Sequence, residues 1–528
     1  MTTLVLLLLG IMPAEPVPAA DGADTVVVCP AAFREALQPW LEYRSRQGHS
    51  FAMVPNTGAP DVIRRRIRQV GQAGRLRFVL LVGDADIGSD ADPGLRQRCV
   101  PVHRAEARVN VLWGSEPHIA TDNWYADLDD DQTPDVAIGR LTADSPAELS
   151  RIVGKILDYE RSVDFGPWRR KLNFVAGVGG FSPLADMVLE SSVRYLLTQE
   201  IPADYDMSMT YGSWRSPYCP DPRSFHATTL RRLNEGSWFW VYIGHGHHLG
   251  LDRIRVPGES YHILGNQDVP KIHCEHGAPI ALFLACYTGA FDAKTDCLAE
   301  QMLRQPQGPV AMIAASRVAM PYAMTVLATG LMDQCFKQRC PTLGEALLNA
   351  KRKMVEKPDA QDARRAMLDS IARAVSPAPK QLAAELAEHL LLFNLIGDPL
   401  LRLRHPRTVA LDVPSTATAG KPLKVTGTSP MQGRATVELV VRRDRFTFSP
   451  PRRREYPQTS GTLAEFQEIY QRANDRRLTS VEVPVAAGPF AVELETPDNA
   501  RGTCHVRVFV EGADDFALGA ADVVIAAQ

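Results

Sequence analysis

The sequence predicts an α/β protein: a mostly parallel sheet flanked by helices, followed by a smaller β-sandwich. Three observations carry this. Up to about residue 400, apolar runs of strand length alternate with segments of helical periodicity, the pattern of a parallel sheet covered on both faces. Beyond about residue 405, short β-rich pieces separated by turn residues take over. The 528 residues are 45% apolar and 23% charged, enough chain for several domains with ordinary cores.

The elements follow in chain order. Residues 4–12 (LVLLLLGIM), then Pro13, Pro16, Pro18 and the small residues Ala19 and Ala20, read as a secretory signal peptide over residues 1–20. Residues 25–29 (TVVVC) form a buried-strand run. Residues 31–47 put Phe33, Leu37, Trp40 and Leu41 on or near one helical face, and Gly48 stops the helix. Further helices are expected over 62–70, 146–161, 184–199 and 225–234, around Met302, and through much of 323–395. Strands are expected at 78–82, 135–138, 172–176, 238–243 (WFWVYI), 280–285 (IALFLA) and 310–315. Beyond Arg404 come VALDV, LKVTG, ATVELVV, VEVPV, FAVELE, CHVRVFV and ADVVIAA, six or seven short strands. Residues 444–479, rich in Arg, Pro and Ser, read as a long exposed insertion with a short helix near 463–472. The domains expected are therefore 25–165, 166–405 and 406–528.

Composition excludes some functions. Lys plus Arg (58) against Asp plus Glu (61) gives a net charge of −3 with no long basic run, which argues against a nucleic-acid partner. No interior segment approaches the ~20 apolar residues of a membrane span. The nine cysteines are scattered, with no CxxC pair. Their odd number leaves at least one unpaired in an exported protein, and Cys335 and Cys340 lie close enough in sequence to bridge. The oligomeric state leaves no signature in the sequence.

Two strand ends stand out. One runs into Gly244-His245-Gly246-His247-His248, the other into Ala285-Cys286-Tyr287-Thr288-Gly289. Sites in open parallel sheets form outside the carboxyl ends of strands. A histidine and a cysteine just past two such ends would face one another as imidazole acid/base and thiol nucleophile. Gly246 allows close backbone approach, and its N–H with that of Cys286 would form an oxyanion hole. The chemistry of such a pair requires no cofactor. Asp127, Asp129, Asp131 and Asp135 alternate along one acidic loop and suit calcium, a hard cation held by oxygen, although the glycine and terminal glutamate of an EF-hand are missing. Zinc on His245, His247 and His248, with His262, His273, Cys274 and His276 downstream, is a weaker reading. No HExxH or CxxC supports it, and adjacent histidines on an extended segment point opposite ways.

The chain resembles the gingipain-like cysteine peptidases, relatives of caspases and legumains. The blocks that carry the resemblance are, in order, VVVCPAAFREALQPWLEYRSRQG, FVLLVGDAD, TDNWYADLDDDQTPDVAIGR, DYER, VYIGHGHH, LFLACYTGAFD, CLAEQML, GPVAMIAAS and FNLIGDPLLRLRH. The resemblance implies a caspase-like α/β catalytic unit in two subdomains and a C-terminal immunoglobulin-like β-sandwich. It implies that His245 is the catalytic histidine and Cys286 the nucleophile of a secreted or cell-surface endopeptidase acting on polypeptides. Structural calcium also belongs to that pattern. Where the basic-specific members have a glutamate orienting the histidine, this sequence has Val178, so a Cys–His dyad is expected. Asp186 matches the aspartate at the base of the specificity pocket, with Glu190 four residues on, and implies cleavage after Arg or Lys. Residues 316–322 match the pocket wall, with Tyr322 as its aromatic side. The reactive species is the thiolate, so the site is expected to hold the thiol below ~8.5. The alternative is a non-catalytic binding or cell-surface protein that retains the fold.

Overall fold

The computed structural model describes residues 22–85, 94, 97–178, 200–357, 362–376, 378–456 and 460–527. The expected signal peptide and the helix expected over 184–199 lie outside the described residues, as do Asp186 and Glu190.

A ten-stranded sheet organises the first 400 residues. Its strands are β1 (Thr25–Val28), β2 (Phe51–Val54), β3 (Phe78–Val82), β4 (Ala137–Leu141), β5 (Lys171–Ala176), β6 (Asp206–Tyr211), β7 (Phe239–Ile243), β8 (Ile280–Leu284), β9 (Ala311–Ala315) and β10 (Phe393–Ile396). Their spatial order is β2-β1-β3-β4-β10-β9-β8-β7-β5-β6. All neighbours pair parallel except β9 and β10. Two five-stranded parallel halves thus run in opposite directions and join through one antiparallel pair. The last strand of this unit in sequence, β10, completes the first half. Seven of the ten strands were readable as apolar runs, because central strands are buried on both faces. The sequence reading passes over β2, β6 and β10. Edge strands β2 and β6 alternate or carry polar residues, and β10 follows an apolar helix without a break.

Helices cover both faces: α1 (Arg34–Arg46), α2 (Pro60–Gly71), α3 (Pro146–Arg161), α4 (Phe225–Asn234), α5 (Leu298–Arg304), α6 (Pro321–Phe336), α7 (Leu343–Val355) and α8 (Leu382–Leu392). Helix α3 starts where Ser145 accepts from the Glu148 N–H and Pro146 takes the first turn. The Gly397-Asp398-Pro399 turn after β10 is a structural anchor. Asp398 is fully buried and accepts from Trp40 Nε1 (2.6 Å), Arg44 Nη2 (2.5 Å) and the Leu400 N–H (2.8 Å). It pins α1 to the seam between the halves, and the burial is tolerable because the charge is paired and hydrogen-bonded.

Beyond Arg404 the chain forms two further sheets around a separate apolar core that includes Val425, Val437, Leu439, Val506, Val508 and Ile525. One sheet is built on β12 (Gly433–Val441), β13 (Arg477–Val485), β15 (Gly502–Glu511) and β16 (Phe516–Ala526). The other contains β11 (Leu423–Ser429) and β14 (Gly488–Leu494). The segment 444–479 is not the exposed insertion expected. Its helix, Ser460–Asn474, buries Leu463, Phe466, Tyr470 and Ala473, with Leu463 and Phe466 clustered with Trp214, Cys219 and Val256 of the α/β unit. The helix expected near 463–472 is present; polar composition hid that it docks.

Candidate active site

Strands β7 and β8 are adjacent and parallel, with Ile243 opposite Leu284. His245 and Cys286 therefore stand two residues beyond paired strand ends, and the Gly244 N–H extends the pairing by donating to the Leu284 carbonyl (3.2 Å). Gly246 fixes how closely the ends approach. A Cβ there would lie 2.9 Å from the Cys286 carbonyl oxygen and 2.9 Å from Thr288 Cγ2, so only glycine fits. His245 and Cys286 are both half-buried.

The histidine turn is held by its backbone. The His245 carbonyl accepts from the Tyr242 hydroxyl (2.8 Å) and the Asp252 N–H (3.1 Å). Gly246 pairs with Leu251 and His247 with Gly250 in a short antiparallel ladder. Bonded and non-bonded pairs alternate in such ladders, and with His245 bonded to Asp252 the Gly246–Leu251 pair is non-bonded. The Gly246 N–H is thereby kept out of the ladder.

The cysteine turn is strained and buttressed. Tyr287 has φ +59°, a left-handed conformation that costs an L-residue about 1–2 kcal/mol. Its N–H donates to the Arg317 carbonyl (3.2 Å) and its hydroxyl to Glu116 (2.9 Å). Arg317 grips Asp292 with both terminal nitrogens (2.8 and 2.7 Å). The Cys286 sulfur accepts from the Ala319 N–H (3.3 Å). That N–H is placed by α8: the next residue, Met320, donates its N–H to His389 Nε2 (2.7 Å), whose Nδ1 faces the Glu385 carbonyl (2.7 Å). Burial pushes fully buried His389 down to about 4, so it is a neutral acceptor. Beside it, Glu388 accepts from the N–H groups of Arg108 (2.5 Å), Val109 (2.8 Å) and Asn110 (2.7 Å), and Asn110 donates to the Val318 carbonyl (2.8 Å). Nothing in the local sequence marks these residues; a histidine in EHLLL reads as helix core.

Burial raises the Cys286 thiol, against the lowering pull of the Ala319 N–H and its own N–H. This corrects the expectation of a thiol held below its ordinary value. In the free protein the desolvated sulfur faces amides, and two N–H groups do not offset the lost hydration.

The other sequence-derived residues fall as follows. Tyr322 opens α6, packs partly buried against the main core, and donates its hydroxyl to Asp369 (2.7 Å). Val178 is half-buried just past β5, within 3.4 Å of the position a Gly212 side chain would take. The oxygens of Asp127, Asp129 and Asp135 lie within 4.8 Å of one another. Asp131 stands outside that group and accepts from the Thr133 N–H (2.7 Å). Arg64 already reaches into the loop, 3.0 Å from Asp127 and 2.7 Å from Asp130. Among the described residues, no three-ligand group contains His245, His247 or His248. Cys335 and Cys340 are not bridged; Cys340 donates its thiol to Gln334 (3.2 Å). No helix among the described residues is long and apolar enough to cross a membrane.

Comparison with known proteins gives the chain its relatives. Lys-gingipain of Porphyromonas gingivalis is 23% identical over 305 residues, 55% of this chain and 15% of its own length. Gingipain R2 of the same species is 23% identical over 367 residues, 65% of this chain and 44% of its own. The chain thus spans less than half of either relative. The crystal structure of the Arg-specific cysteine proteinase gingipain R superposes with a TM-score of 0.54 at 16% identity, over 97% of this chain and 100% of that one. The complex of the pro- and mature domains of Porphyromonas gingivalis RgpB gives 0.52 at 16% identity, over 96% and 100%. These matches give the α/β unit the caspase-like fold expected. Residues 19–404 match Peptidase family C25, and the chain belongs to that family.

Proposed function

We propose that this chain is a secreted cysteine endopeptidase that cleaves polypeptides through a Cys286–His245 dyad. The observation that carries the reading is the register of β7 on β8, with the glycine-only contact of Gly246 against Cys286. The Cys286 thiol gives its proton to the His245 imidazole as the sulfur attacks the peptide carbonyl. A C–S bond forms, and the oxyanion is held by the N–H groups of Gly246 and Cys286. His245 then protonates the leaving amine, and the C–N bond breaks to leave a thioester. Water, deprotonated by His245, attacks the thioester; the carboxylate leaves and the thiol is restored. A raised thiol fits a nucleophile that gives up its proton only when substrate is in place.

Cleavage after Arg or Lys is the specificity proposed. It rests on the names of the similar gingipains, with Asp186 as the pocket carboxylate and Tyr322 as a pocket wall. Asp127, Asp129 and Asp135 are proposed to hold a structural calcium ion, with Asp131 at the rim. Export rests on the leader at residues 1–20. Residues 25–165 and 166–405 are proposed as the two subdomains, and 406–528, with its two packed sheets, as an immunoglobulin-like sandwich. A non-catalytic binding protein is the second reading, favoured by the burial that raises the Cys286 thiol.

Cleavage of Arg- and Lys-ended reporter peptides by the wild type and by Cys286→Ala separates the two. The first reading requires turnover that falls more than about 10⁴-fold in the variant. Equal rates in both would overturn it.

A further inference from the structure

His226, His262 and Asp268 come from three separate elements: the first turn of α4, the end of the strand Glu259–His262, and the short helix Asn266–Lys271. One ligand atom from each lies within 4.8 Å of the others. His226 Nε2 is 3.3 Å from Asp268 Oδ1, and His262 Nε2 is 2.6 Å from Asp268 Oδ2. The ring of His226 is oriented from behind. Its Nδ1 lies 2.9 Å from the Ile263 carbonyl, an acceptor only, so Nδ1 carries a proton and Nε2 is turned to the carboxylate. Nδ1–H bonded to a backbone carbonyl is how metal-bound histidines are oriented.

We propose that these three side chains form a binding site for a divalent transition cation, zinc first. Two imidazoles and a carboxylate are a zinc donor set, and water completes the tetrahedron. Asp268 is buried and further fixed by the Gly265 N–H (3.1 Å). Lys271 Nζ now sits 2.9 Å from Asp268 Oδ1, and the Gln267 amide 3.0 Å from His262 Nε2. The lysine side chain is 60% exposed and free to swing out when the ion enters, while both histidines keep about a quarter of their surface open to it.

The ion would act as a clamp behind the histidine turn. Between His262 and Asp268 the chain receives the Leu251 N–H at the Leu264 carbonyl (2.8 Å) and gives the Asn266 N–H to the Leu249 carbonyl (2.9 Å). Leu251 and Gly250 are the partners of Gly246 and His247. A metal at this triad joins α4 to the segment on which that ladder rests. The site stands apart from the proposed peptidase chemistry, because metal uptake alone reads it.

The test is equilibrium dialysis of the chelator-stripped full chain against zinc in excess calcium at pH 7.5, with metal analysis. It is run in the wild type, Cys286→Ala, and His226→Gln/His262→Gln. Expected are one tight zinc equivalent in the wild type and in Cys286→Ala, and affinity lowered by more than about tenfold in the histidine variant. Cobalt(II) in the same site should show the visible bands of a tetrahedral ion, absent from that variant. Should the double variant fail to fold, His262→Gln alone carries the same comparison. Undiminished zinc affinity in the histidine variants, loss of the tight equivalent in Cys286→Ala, or no tight equivalent in the wild type would each overturn the site.

Discussion

Cys286 carries its sulfur beneath the Ala319 amide in a desolvated pocket, with its thiol raised by that burial. Less thiolate is then present at neutral pH than in a free cysteine. Iodoacetamide labelling of Cys286, followed by peptide mapping, should be slower at pH 7 than that of free cysteine and keep rising above pH 9. A plateau below pH 8 would show a lowered thiol instead. His389 sets the amide that meets the sulfur, and its titration has a sign that can be worked out. Its folded value of about 4 lies below the unfolded value of ~6.5. Its contribution is complete above pH 6.5, and about 3 kcal/mol is lost as pH falls to 4, because only the unfolded chain takes the proton in that window. His389→Gln keeps an acceptor for the Met320 N–H and removes the titration. Urea midpoints of variant and wild type should therefore shift in the variant's favour between pH 7 and 4.5. His389→Leu leaves a buried N–H unpaired and should cost about 1–3 kcal/mol at pH 7.

At the scale of elements, the site is two turns after two parallel strands, and its closeness depends on one missing Cβ. Gly246→Ala puts a methyl group against the Cys286 carbonyl and Thr288. Overpacking of that kind costs about 1–3 kcal/mol. Turnover of reporter peptides should fall by more than about tenfold, because the Gly246 N–H moves; thermal unfolding and kinetics on the variant check both effects. The strand ends that carry His245 and Cys286 were legible because doubly covered strands are continuous apolar runs, so a polar or reactive residue just beyond one stands out. The same logic failed at β10. Phe393–Ile396 follows α8 with no turn residue between, and the run of leucines reads as one helix. The supports behind Cys286 were invisible for a different reason. His389, Glu388 and Asn110 act through backbone groups far away in sequence, and no local pattern records such contacts. The sequence groups His262 with neighbouring histidines as zinc candidates; the fold gathers it with His226 and Asp268 instead.

For the whole molecule, the C-terminal sheets are seated on the α/β unit through buried charge as well as apolar contact. Glu438 accepts from Arg170 (3.0 Å) and Arg507 (2.8 Å), all three buried, and Arg443 binds the carbonyls of Ile201, Pro202 and Tyr205. The composition of residues 444–479 suggested solvent, yet three of the arginines in or beside that segment serve backbone carbonyls of the α/β unit: Arg443, Arg453 and Arg476. Glu438→Ala leaves two buried guanidinium groups without their shared carboxylate. It should destabilise the chain by about 3–5 kcal/mol, read from denaturant midpoints. An effect below 1 kcal/mol would mean that the two parts are held together without this triad. The central claim, that His245 and Cys286 act together on a peptide carbonyl, is tested most directly by trapping. The full chain is treated with an Arg- or Lys-directed acyloxymethyl ketone and analysed by intact mass and peptide mapping. The dyad predicts one adduct per chain, on the sulfur of Cys286, formed more than about a hundredfold more slowly in His245→Ala. Adducts spread over several thiols, or formed at the same rate without His245, would contradict it.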